Sequence, residues 1–180
     1  MISHEELEEF ICQFPVYQYA FFKPEEIDFS FRVRWICEKE CERYNSTWAC
    51  PPAVGTVEEC RKRCLDYKEC FLFSTIAEVS DVINFEETLA TRKEHEKITA
   101  AIEAFVREKG TDCMALSTES CDICEVCTYP DAPCRFPQKM HLRGEPRDYC
   151  LRTGRKIQHG IYLKRQPDFV VRYSFSKITA

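Results

Sequence analysis

The sequence predicts an α+β fold: a mixed β-sheet packed by helices and carrying two cysteine-rich metal-binding loops. Three observations lead there. Helix-capping residues precede stretches of helical apolar periodicity, short runs of β-branched and aromatic residues lie between them, and two tight groups of cysteines interrupt both patterns. The 180 residues suit a single domain over 1–180, with the cysteine loops near 37–60 and 121–137. A chain this long buries a core without needing disulfides or metals to compensate for small size, so its 13 cysteines call for a separate account.

The elements follow in chain order. Ser3 with Glu6 reads as a reciprocal capping box, ahead of a helix with Leu7, Phe10 and Ile11 on one face, and Pro15 ends it. Residues 29–35 alternate apolar and polar, which predicts a half-buried strand running into Cys37. Thr56 caps a short helix expected over 57–68. The run Phe71 to Ile76 reads as a buried strand. Asn84 with Glu87 predicts a second reciprocal box, opening a long helix that reaches about Lys109 and stops at Gly110. Its apolar face includes Leu89, Ile98, Ala101, Ile102 and Phe105, and His95 falls among charged neighbours, which makes it a surface or half-buried residue. A short strand over 113–116 follows. Strand, long helix and strand together predict a crossover unit and a parallel pair. A second cysteine loop occupies 120–144, a short helix near 145–153 ends at Gly154, and the Val-, Phe- and Tyr-rich segment 169–178 reads as a strand.

Three explanations compete for the cysteines. A secreted disulfide scaffold fits poorly: the stretch from Met1 to Phe14 is acidic and has no leader-like basic and apolar regions, and an odd count leaves one thiol over. The sequon at Asn45 is a short triplet that arises often by chance. Inert buried thiols suit isolated residues such as Cys12 but not tight clusters. Metal binding in a reducing, cytoplasmic setting accounts for the clusters. No stretch approaches the roughly 20 apolar residues of a membrane span. A net charge of −5 gives no general attraction to nucleic acid or anionic lipid.

The strongest pattern is Cys121-x2-Cys124-x2-Cys127-x6-Cys134. Thiolates repeated at this interval let a short loop wrap one iron–sulfur cubane, and the fourth closes the site from further along, beside Pro133. Zinc also takes four thiolates, but usually as two separated pairs, so it is the weaker alternative. In the bacterial ferredoxin pattern the fourth cysteine serves the other cluster, a role open to Cys134 as well. A second constellation is Cys37-x3-Cys41-x8-Cys50, followed by Pro51 and Pro52. Its fourth ligand is assigned to Cys60, near a helix N-terminus where the dipole favours a thiolate. Cys64 lies one turn further on the same face, and the alternative is an open metal position.

Arg32, Arg34, Lys39 and Arg43 gather near the first loop, and Arg135, Lys139, Arg143 and Arg147 near the second. Arg135 adjoins a ligand and is the candidate cofactor-binding cation. Cations near an anionic cluster raise its reduction potential. His141 lies close to the second loop. No glycine-rich phosphate loop and no nucleophile–base arrangement can be nominated.

With both loops in view, the chain resembles a family of uncharacterised, predicted metal-binding proteins of anaerobic bacteria and archaea. The residues carrying the resemblance are Arg34, Cys37, Cys41, Tyr44, Trp48 and Cys50-Pro51-Pro52. The later half adds Cys121, Cys124, Cys127 and the run Pro133-Cys134-Arg135-Phe136-Pro137, with Glu145 and Gly154 beyond. The resemblance implies metal binding and an anaerobic setting and supplies no reaction. Cys64, Cys70 and Cys150 stand outside the family's pattern. The expectation is therefore an iron–sulfur protein with two [4Fe–4S] clusters, serving electron transfer with a redox partner protein or within a larger enzyme complex. The alternatives are an enzyme with an open-site cluster on Cys37, Cys41 and Cys50, and a zinc-stabilised interaction module.

Overall fold

Ser3 opens the first helix, α1 (His4–Ile11), as the sequence predicts. Its hydroxyl accepts from the Glu6 amide at 3.2 Å, and the Glu6 carboxylate accepts from the Ser3 amide at 3.0 Å. The computed structural model describes residues 2–81, 83–117, 121, 123–137 and 169–178. The expected helix near 145–153, Gly154, Glu145, Cys150, His141, Lys139, Arg143 and Arg147 lie outside them.

After Pro15 the chain enters β1 (Val16–Phe22), then a 3-10 turn (Pro24–Glu26). The sequence reading passed over β1, although its aromatic-rich run between Pro15 and Pro24 carries a strand signal. Next comes α2 (Phe31–Glu40), which corrects the strand expected over 29–35. The alternating pattern there has no dry face to match it. Phe31 and Trp35 are exposed and only Val33 of the helix is buried. With no sheet face to bury, local capping decides: the Ser30 hydroxyl accepts from the Arg32 amide at 3.2 Å.

Helix α3 (Val57–Leu65) starts at Thr56 in a full capping box with Glu59. Strand β2 (Glu69–Glu78) follows, then α4 (Phe85–Glu108), β3 (Cys113–Ser117) and β4 (Phe169–Ile178). Asn84 caps α4 as expected, accepting from the Glu87 amide. The reciprocal half is not made, because the Glu87 carboxylate is taken by the amide and hydroxyl of Ser80.

The strands form one four-stranded sheet in the order β1-β2-β4-β3, every neighbouring pair antiparallel. The α+β class holds, whereas the parallel pairing of β2 with β3 is not made. These two strands run the same way, as a crossover requires, but β4 lies between them, pairing from Glu69↔Ile178 to Glu78↔Phe169 on one side and from Cys113↔Ile178 on the other. Local sequence shows the crossover and gives no sign of a strand inserted from the far end of the chain.

Strand β2 is central and buried on both faces. Phe71 and Phe73 pack with Leu7 and Ile11 of α1, Ile98, Ile102 and Val106 of α4, and Cys113. Cys70 and Leu72 face the other way, against Phe22, Ile27 and Cys64 of α3. Each such side chain contributes about 1.5–3 kcal/mol through burial. His95 is fully buried rather than superficial. It continues the Ile98–Ile102 stripe one turn earlier, bonds Thr75 through Nδ1 at 2.7 Å and stacks on Phe73. No helix among the described residues is long and apolar enough to cross a membrane.

Candidate metal centre

Both cysteine loops are shaped by their own backbone hydrogen bonds before they meet. In the first, the Cys41 carbonyl accepts from Tyr44, the Thr47 carbonyl accepts from Cys50 at 3.1 Å, and the Pro51 carbonyl accepts from Asn45 at 2.7 Å. Asn45 turns the chain through a left-handed conformation (φ 57°), which Asn tolerates better than most residues. Gly55 closes the loop at φ 94°. A Cβ there would stand 2.5 Å from the Glu59 carboxylate that caps α3. In the second loop the Thr128 hydroxyl donates to Pro133 O at 2.9 Å, the Thr128 carbonyl accepts from Ala132, and Arg135 Nη1 donates to Val126 O at 2.8 Å. Arg135 thus ties the Cys134 end of the loop back to the segment between Cys124 and Cys127.

A three-part latch joins the loops. Trp48 Nε1 donates to Ala132 O at 3.0 Å, and Tyr129 Oη donates to Asn45 Oδ1 at 2.6 Å. The two rings meet edge to face, 5.0 Å apart at 89°. Docking creates an open hollow of about 390 Å³, counting the space that runs out to solvent. One wall is Thr47, Trp48 and Ala49 from the first loop. The rest is second loop, including Cys121, Cys124, Cys127, Cys134, Arg135 and Phe136. All four cysteines of the strongest motif, which the chain spreads over 14 positions, therefore face one space.

The first constellation is placed differently. Cys37 is half-buried on α2, Cys41 is exposed at its C-terminal end, and Cys50 is buried in the loop. Cys60 is buried on α3 beneath that loop. Its thiol donates to Val54 O at 3.7 Å and accepts from Arg63 at 3.2 Å and Arg34 at 3.9 Å. Arg34 also donates to Gly55 O at 2.8 Å, and Arg63 to Val54 O. Cys64, one turn on, packs into the core with Cys70 and Leu72. Among the described residues, no three Cys, His, Asp or Glu side chains surround a single-ion position, and no described cysteine forms a disulfide. Of the cations flagged from sequence, Arg34 and Arg135 engage the loops, whereas Lys39 pairs with Glu38.

Sequence reasoning missed Arg63, Asn45 and Tyr129. Arg63 was legible, since it lies three positions after Cys60 on a capped helix and so shares its face. Nothing local marks Tyr129 as a partner of Asn45. Thr47 was also missed. It is 4% exposed, and its hydroxyl has no hydrogen-bond partner among the described residues. A buried hydroxyl left unsatisfied costs about 1–3 kcal/mol. An orphaned hydroxyl beside four cysteines suits a metal–sulfur group, whose sulfurs accept hydrogen bonds, so the residues present fit a thiolate-bound metal centre.

Comparison with curated proteins and with solved structures finds no match. One family model does match, over residues 20–145, which takes in both loops and the latch between them. On that match the chain belongs to the predicted metal-binding protein family DUF2284.

Proposed function

We propose that Cys121, Cys124, Cys127 and Cys134 hold a [4Fe–4S] cluster and that the protein works in one-electron transfer, as a carrier or as the redox subunit of a larger enzyme system. One observation carries this reading: four cysteines at cubane-wrapping spacing line a single hollow, and Thr47, a residue with an unsatisfied buried hydroxyl, forms part of its other wall. Bound there, a cysteine-ligated cubane supplies reversible one-electron transfer at a potential set by nearby charge, hydrogen bonds and burial. The chain's own part is to position and to shield. Arg135 fixes the return of the loop and brings a cation next to Cys134, which raises the potential. Trp48 and Phe136 give the hollow's walls apolar surface. Thiols that must stay reduced to bind metal favour a reducing compartment, the cytoplasm, as the setting of this function.

Cys37, Cys41, Cys50 and Cys60 are our proposed ligands for a second cluster. The donors around Cys60 support this, because a metal-bound thiolate, which gives up the thiol's donation to Val54 O, still accepts hydrogen bonds from Arg34 and Arg63. The same contacts favour one rival reading. If the guanidinium groups keep Cys60 from the metal, the three remaining thiolates leave one iron open to substrate, and the protein is an enzyme that uses Lewis-acid chemistry.

Anaerobic purification with iron, sulfide and zinc analysis tests both. Two cubanes require about eight irons and eight sulfides per chain, and one requires about four of each. A colourless protein with stoichiometric zinc refutes the iron–sulfur reading and leaves a zinc-stabilised interaction module. Cys60→Ser separates carrier from enzyme. Loss or conversion of one cluster identifies Cys60 as a ligand. Unchanged iron and an unchanged paramagnetic spectrum, with a spectral response to added small molecules, identify an open site.

A further inference from the structure

We infer that Thr47 is a positioning residue for the second-loop centre, donating an O–H···S hydrogen bond from the first loop to the sulfur of that centre and raising its reduction potential. The inference rests on the iron–sulfur reading and adds a role for a residue outside both cysteine motifs.

Thr47 belongs to the Cys37–Cys50 loop, yet it lines the hollow of the other one. Thr47 is 4% exposed and its hydroxyl is fully covered, so bulk water does not serve it. Its backbone carbonyl is already used by the Cys50 amide, and its hydroxyl has no hydrogen-bond partner among the described residues. Buried hydroxyls are seldom left without a partner, so an unserved one beside a binding space marks where a ligand acceptor belongs. Four of the residues sharing that space are cysteines, and the acceptors they bring when a cluster is bound are sulfurs. A donor aimed at thiolate or sulfide stabilises the more negative, reduced state more than the oxidised one, and this sets the sign of the effect. The latch keeps the donor in place, because Trp48 is next in the chain and is held by Ala132 and Tyr129. Thr47 therefore links occupancy of the second loop to the docking of the first.

The test compares anaerobically loaded wild type, Thr47→Val and Thr47→Ser. Iron and sulfide are counted first, then midpoint potential and the deuteron couplings of the reduced cluster after exchange into heavy water are measured. Thr47→Val should keep the metal content, shift the potential downward and lose one exchangeable-deuteron coupling, and Thr47→Ser should restore both. A loaded Thr47→Val protein with unchanged potential and couplings overturns the inference and leaves the iron–sulfur reading intact. Should the valine variant fail to load, Thr47→Ala is loaded instead. Failure of both with success of serine supports the hydroxyl as the deciding group, whereas failure of all three overturns the donor role in favour of packing. Zinc, or no metal, in the wild type refutes the underlying reading itself.

Discussion

Replacing Trp48 by alanine should loosen the two cysteine loops from one another, and the size of the effect follows from the latch. The change removes the indole donation to Ala132 O, worth about 0.5–1.5 kcal/mol, and the edge-to-face contact with Tyr129, worth about as much again. The Tyr129–Asn45 hydrogen bond remains. Together the losses amount to about 1–3 kcal/mol, or about a 5- to 150-fold shift of the docking equilibrium toward the open form. Because the first loop forms one wall of the hollow, the metal is lost more readily by the same factor if the undocked loop cannot retain it. Hydrogen exchange read by mass spectrometry should show faster exchange in 41–55 and 121–137 and none in β2 or α4. Metal release to a chelator should accelerate in parallel. Tyr129→Phe removes only the bond to Asn45 and should produce the smaller effect, about 0.5–1.5 kcal/mol. Unchanged exchange across 121–137 in Trp48→Ala would refute the claim that the latch holds the site together.

Two further predictions concern the core that carries the loops. Burial pushes the Cys113 thiol up to about 12 from an ordinary 9.0, so the unfolded chain ionises first as pH rises. Stability should therefore fall between pH about 9 and about 12, and Cys113→Ala should flatten that part of the denaturation profile; an identical slope in the variant would count against the assignment. Thr75→Val takes from buried His95 its partner at Nδ1 and should cost about 1–3 kcal/mol by urea denaturation, with β1–β2 pairing kept; a neutral change would show that the Thr75 bond is not what holds the ring.

Local chemistry was enough to place much of this molecule. Ser3, Thr56 and Asn84 each open a helix because a short polar side chain satisfies an amide that the helix leaves free, a contact made within three residues. The strand at 169–178 and the buried run around Phe71 were legible from β-branched and aromatic enrichment. The second cysteine motif was legible as a group because its members lie close along the chain, and the structure has all four line one hollow. Segment 29–35 was misread because period-two alternation has meaning only when a sheet offers a dry face, and whether one is available is not written locally.

The tertiary structure alone decided the rest. β4 lies between β2 and β3 because the two longest described strands, ten residues each, pair along their full length, from Glu78 with Phe169 to Glu69 with Ile178, a match between segments far apart in the chain. His95, charged neighbours notwithstanding, is buried because its helical stripe meets Thr75 and Phe73 on the sheet. The joining of the two loops is of the same kind. Trp48 and Ala132 are 84 positions apart, as are Asn45 and Tyr129, and neither pair is marked in its own surroundings. The cysteines could be counted and spaced from sequence, but Thr47, whose hydroxyl is buried, becomes a candidate only after folding sets it in the wall of a hollow that holds the cysteines of the other loop. Spacing identifies groups that bind together when they are close along the chain, whereas a donor supplied from a distant loop is visible only once long-range packing has closed the distance.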